Sequence, residues 1–118
     1  MIREIIFYEH YFFDCYDAQP KNVQEKIDYV LDLIANVERV PKKFLKHLED
    51  TDGLYEIRVK VGSDIFRFFC FFDAGKLIVV LQGFQKKTAK TPRNKIQKAE
   101  RLKHQYFEEK RNEQNHNT

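Results

Sequence analysis

Arg58, Arg67, Lys86 and Lys87, with Glu56 two residues ahead of the first, are the side chains whose types and placement could do chemistry together. Arg67 stands inside the apolar run IFRFFCFF, where an unpaired guanidinium is costly, so it must reach a carboxylate, a carbonyl or a pocket open to water. A partly buried pair with Glu56 or Asp64 is the structural alternative to an anion site. Arg58 and Lys60, on a half-exposed strand, read more readily as solvated surface than as catalysts. Lys86 and Lys87 follow the strand LIVVLQGF, and a hairpin series returns them near one end of the strand that carries Arg67. Clustered cations depress a lysine's pKa and make a neutral amine available as a base, while arginines stay charged and stabilise a phosphorane-like transition state. RNA supplies the rest, because its 2′-hydroxyl can attack the adjacent phosphate without a metal if one group removes that proton and another protonates the leaving 5′-oxygen.

Other chemistries fit the sequence poorly. His10, His47, His104 and His116 show no helical metal-pair spacing and no cysteines at zinc-finger intervals, so neither a metal nor a cofactor is expected. Ser63, in the turn GSD, is the sole serine, and there is no glycine-rich phosphate loop. Cys15 and Cys70 are too few for a disulfide scaffold, and Cys70, inside FRFFCFF, reads as a buried reduced thiol.

These residues must be positioned by an α+β arrangement. IREIIFY fits a first strand, although IIFYEHYFF blurs its alternation. After Pro20, the residues Val23, Ile27, Val30, Leu31, Ile34 and Val37 predict an amphipathic helix. Phe44, Leu45 and Leu48, after Pro41, suggest a short second helix ending before EDTDG. The period then changes to two. In LYEIRVKV, Tyr55, Ile57, Val59 and Val61 point toward packed helices, and Leu54, Glu56, Arg58 and Lys60 toward water. IFRFFCFF and LIVVLQGF continue as consecutive antiparallel strands, with Gly83 marking a bulge or a close backbone approach. Thr91 and Pro92 read as N-cap and first turn of a last helix, with Ile96, Ala99, Leu102 and Tyr106 as its apolar stripe. That helix is expected to reach about Lys110. One domain over residues 1–111 is expected, followed by a frayed polar tail over 112–118.

Eleven Phe and 42% hydrophobic residues suffice for a core. No apolar run approaches the roughly 20 residues of a membrane helix, and the N-terminus lacks a signal-peptide pattern, so a cytoplasmic protein is expected. The net charge of +3 hides an asymmetry: residues 1–85 carry 11 basic and 14 acidic side chains, residues 86–118 carry 10 and 4. Between Lys86 and Lys103 the single acid is Glu100, a field that attracts phosphates unless it is only a solvated helix face. Lys60, Lys90, Arg93 and Lys95 are the candidates there and on the sheet for holding RNA.

The segment GLYEIRVKVGSDIFRFFCFFDAGKLIVVLQGFQKKTAKTPRNKIQKAERL resembles the RelE/HigB superfamily of bacterial toxins, in particular its phage-derived HigB-like branch. The similarity runs from about Leu54 to Leu102, and GFQKKTAKTP, residues 83 to 92, is its most specific element. The resemblance implies a RelE-like fold, with helices packed on a small, twisted, mainly antiparallel sheet and a basic C-terminal helix. It also implies a ribosome-dependent mRNA endonuclease, held inactive by a cognate antitoxin that is often HigA-like with a helix-turn-helix domain. The family's cationic strand positions fall on Arg58 and Arg67 and its following basic cluster on Lys86 and Lys87. Glu56 stands where members differ. The chain departs from the pattern at Gln82, where many relatives have His, and Thr91 to Lys95 offer no counterpart of the RelE C-terminal tyrosine. A ParE-like inhibitor of DNA gyrase on the same fold, or a noncatalytic nucleic-acid-binding module, are the alternatives.

Overall fold

The computed structural model describes residues 1–116. Its elements are β1 (Glu4–Phe7), α1 (Tyr11–Tyr16), α2 (Lys21–Asn36), β2 (Leu45–His47), β3 (Tyr55–Val61), β4 (Asp64–Asp73), β5 (Leu77–Lys86) and α3 (Arg93–His116). One five-stranded sheet has the order β1-β5-β4-β3-β2. Every neighbouring pair is antiparallel except β1 with β5.

Alternation sorts the sheet into two apolar layers. Ile57, Val59, Phe66, Phe68, Cys70, Ile78 and Val80 meet Phe12 of α1 and the stripe Val23, Ile27, Val30 and Ile34 of α2, as the period of that helix predicts. On the other face Leu54, Phe69, Phe71, Val79 and Leu81 are covered by Ala99 and Leu102 of α3. Asp73, at the end of β4, accepts hydrogen bonds from Tyr106 (2.7 Å) and Lys110 (2.7 Å) and ties the far half of α3 to the sheet.

The structure departs from the sequence expectation in four places. The first strand stops at Phe7, because Glu9 takes φ 54 and turns the chain, and the aromatic run that follows is the helix α1. The short helix expected around Phe44 to Leu48 is instead the edge strand β2. Its backbone is taken up by β3, with Arg58 N–H donating to the Phe44 carbonyl (2.8 Å) and Leu48 N–H to that of Leu54 (2.9 Å). So short a segment has too few internal bonds to stand as a helix, and sheet pairing overrides its local preference. The charged face of β3 is only partly open to water: α3 overlies its beginning, and Glu56 is 1% exposed. Finally, α3 continues beyond Lys110 to His116, adding one backbone bond per residue to an existing helix. The tail expectation for 117–118 lies outside the described residues.

Gly62 opens the two-residue β3–β4 turn with φ 60, a conformation that costs glycine nothing. Gly83 has another duty: a Cβ there would stand 2.2 Å from the Phe68 ring, so the close approach read from the sequence is real. The β-bulge lies beside it, where the register slips between Phe68 opposite Gly83 and Cys70 opposite Val80.

Candidate active site

That slip decides which lysine reaches the site. Val79 and Leu81 point toward α3, and strict alternation would send residues 83, 85 and 87 the same way. With one extra residue in β5, Phe84 pairs with Arg67 and Lys86 with Ile65, so both side chains join the face of Arg67. Arg58 is the cross-strand partner of Arg67. Because Arg58 N–H points to β2, this is a non-hydrogen-bonded pair, the kind in which side chains lie closest, with Cα atoms about 4.5 Å apart.

Two guanidiniums so placed repel unless a negative charge lies between them, and Glu56 supplies it. Its Oε1 is 3.7 Å from Arg58 Nε and 3.7 Å from Arg67 Nε. Its Oε2 accepts a 2.5 Å hydrogen bond from the Thr91 hydroxyl. The pairing of Arg67 with Glu56, weighed from the sequence as the structural alternative, is therefore present, and that with Asp64 is not: Asp64 accepts from Gln85. Yet 3.7 Å is too long for a hydrogen bond, and Nε of both arginines is buried without a hydrogen-bond partner. Arg67 makes one further bond, Nη1 to the Phe66 carbonyl at 3.3 Å. Burial, then the Arg58 charge, pull Arg67 below the ordinary arginine value against the pull of Glu56. The pair holds charge in place and leaves donor capacity unused.

Lys86 sits half-buried at the rim. Burial first, then the charge of Arg67, hold its ammonium below the ordinary lysine value; Glu56 opposes this, and Arg58 and Lys46 add to it. Lys46 was not singled out from the sequence because its segment reads there as a helix. As the partner of Glu56 across β2 and β3 it shares this face. Thr91 was read as a helix cap, but its hydroxyl serves Glu56, and α3 begins at Arg93.

Of the remaining candidates, Lys60 is exposed at the end of β3, and Lys87, Lys90 and Arg93 are exposed around the segment joining β5 to α3. Lys95 lies with Nζ over the Phe84 ring, 5.1 Å from its centroid, beside the Arg67 row. Its carbonyl accepts from Gln82 Nε2 (2.9 Å), so Gln82 anchors the start of α3. The basic run does not form one surface: Lys98 lies over Tyr11, while Lys103 donates to the Asp52 carbonyl in the loop between β2 and β3. Burial raises both the Cys15 and the Cys70 thiols, which suits neither for nucleophilic work. Among the described residues no group of three or more His, Cys, Asp or Glu is arranged to hold a metal ion, and no helix is long and apolar enough to cross a membrane.

Residues 14–104 match the family described as Phage derived protein Gp49-like (DUF891). Among solved structures, the fold is similar to the archaeal RelE–RelB complex from Pyrococcus horikoshii OT3, with a TM-score of 0.51 and 20% identity over 77% of this chain and 100% of that chain. No curated protein matches. The sheet and its helices thus have the RelE fold, in agreement with the resemblance carried by residues 54 to 102.

Proposed function

Since this chain belongs to the phage-derived Gp49-like family, we propose that it is the toxin of a toxin–antitoxin pair and an endoribonuclease that cuts mRNA on the ribosome. The observation that carries the reading is the opposed pair Arg58 and Arg67, steadied by Glu56 from below and flanked by Lys86 with its lowered pKa. Such a cluster is built for a phosphodiester: the guanidiniums take the non-bridging oxygens and the charge that grows on them. Neutral Lys86 accepts the 2′-hydroxyl proton, the 2′-oxygen bonds to phosphorus, the bond to the 5′-oxygen breaks, and a neighbouring ammonium, Lys46, protonates that oxygen. The products are a 2′,3′-cyclic phosphate and a 5′-hydroxyl. Glu56, buried beneath the arginines, is a positioning residue. Lys87, Lys60, Lys90, Arg93 and Lys95 extend the field along which the RNA backbone lies.

The similarity to a RelE–RelB complex supports a cognate antitoxin as partner, and a HigA-like protein with a helix-turn-helix domain is the form we expect. The place of action is then the cytoplasm, with the ribosomes. A ParE-like gyrase inhibitor on the same fold has no use for two opposed arginines gathered on one carboxylate beside Lys86. Primer extension on mRNA after brief expression separates the two: breaks confined to translated regions are expected, and intact mRNA with damaged DNA would reverse the order.

A further inference from the structure

The outer edge of β3 loses its neighbour after Arg58, whose N–H makes the last bond on that side, to the Phe44 carbonyl. An open cavity of about 430 Å³ occupies the space left. Lys26 of α2, Lys43 and Phe44 before β2, and Arg58, Lys60 and Arg67 line it, and no carboxylate of the described residues does. Lys26 and Lys43 make no ion pair among the described residues; their ammoniums rest over the rings of Tyr29 (5.0 Å) and Phe44 (4.9 Å). The amide of Lys60, two residues beyond that of Arg58, faces the same open side and adds a donor. Five cations therefore line one cavity with a single shared counter-charge, the Glu56 carboxylate beside Arg58 and Arg67, while Lys26, Lys43 and Lys60 have no ion-pair partner among the described residues.

We propose that this cavity binds the nucleotide next to the scissile phosphate, with its phosphate between Lys26 and Lys43 and its base against Phe44. The inference rests on the endonuclease reading. Arg58 and Arg67 belong to both the cluster and the cavity, so an RNA chain fixed there by its scissile phosphate has its neighbour carried over the edge of β3. Contacts to phosphate and to an aromatic ring do not read base edges, so this subsite holds any sequence and sets register. An acidic peptide would feel the same charge; what favours RNA is that the cavity shares Arg58 and Arg67 with the cluster that takes the scissile phosphate.

The test uses ribosomes programmed with an mRNA that has 2′-deoxyribose at the scissile nucleotide, so that it is bound and not cut. With 4-thiouridine placed in turn on either side of that nucleotide, irradiation with the full chain is expected to give an adduct on the peptide around Lys43 and Phe44 from one of the two positions. The yield should fall by roughly tenfold in Lys26→Ala/Lys43→Ala, and hold in Lys76→Ala, in the turn between β4 and β5. Flanking-nucleotide adducts that map elsewhere, or an unchanged yield in the double variant, overturn the subsite alone. So does a double variant that loses an acidic antitoxin peptide and keeps the mRNA adduct, which assigns the cavity to a protein. A parent chain giving no mRNA adduct at any position overturns the endonuclease reading with it.

Discussion

Arg58 and Arg67 face each other across β3 and β4, and the same Glu56 oxygen lies 3.7 Å from Nε of each. The carboxylate is therefore shared, and removing either arginine leaves it one ion pair and the Thr91 hydrogen bond. Arg67→Ala is expected to abolish toxicity with little loss of thermal stability. The double variant Arg58→Ala/Arg67→Ala strands a buried carboxylate and should lose about 3 to 5 kcal/mol, far more than the two single losses added. Denaturant unfolding of the four proteins checks this; additive losses would mean that Glu56 does not bridge the arginines.

Lys86 in the role of base makes the cleavage rate rise with pH, because the reactive form is the neutral amine. Burial and Arg67 hold its pKa below the ordinary lysine value, so the rising limb should lie below that range. Neighbours move it in opposite directions. Lys46→Ala slows cleavage by removing the acid and, having lost a repelling charge, should shift the remaining limb up, whereas Glu56→Gln removes the one attraction and should shift it down. A single-turnover pH profile reads both shifts, and a falling limb in place of a rising one would make Lys86 the acid.

Cleavage should survive excess EDTA, provided the ribosomes are kept intact by other means. The cluster offers one carboxylate among several cations, a donor set that repels a divalent ion. Mapping of fragment ends should find cyclic or 3′-phosphates; 3′-hydroxyl ends would rule out attack by the 2′-hydroxyl.

Burial pushes the Asp73 carboxyl up, but the hydrogen bonds from Lys110 and Tyr106 and the Lys110 charge outweigh it and hold it below its ordinary value. A depressed folded-state pKa means that this stabilisation is present above the unfolded value and is lost as pH falls through the folded one. Tyr106→Phe should cost about 1.5 to 3 kcal/mol near neutrality, with Lys110 still bound to the carboxylate. Below about pH 4 the parent and variant stabilities should converge. A gap that stays constant on acidification would show that the hydroxyl acts through packing.

Charge reversal on α3 tests where the antitoxin docks. Lys103 is held by Asp52, so the cationic stretch free to meet a partner ends near Arg101. Lys95→Glu, Lys98→Glu and Arg101→Glu together should slow association with the antitoxin at low salt and flatten its salt dependence. Unchanged rates would assign the antitoxin to another face.

The sequence by itself determined the three central strands β3, β4 and β5 and the two long helices, because the alternation in LYEIRVKV and the stripe from Val23 to Ile34 are local signals that burial on one face enforces. It also determined that Arg67 had to find a partner, since no guanidinium inside FRFFCFF can be left alone. The motif GFQKKTAKTP carried the family, through chemistry written in consecutive residues. Tertiary structure alone decided which of these residues meet. Phe44 to Leu48 became a strand, bringing Lys46 onto the site, because β3 offered backbone partners that no local propensity encodes. Thr91 turned to Glu56, 35 residues away, because α3 packs over that end of the face. The choice of Lys86 rested on a one-residue bulge. In a strand of period two, a single inserted residue exchanges the faces of everything beyond it, so what places Lys86 beside Arg67 is the room that Gly83 leaves for Phe68 and the register set there, a property of two strands in contact.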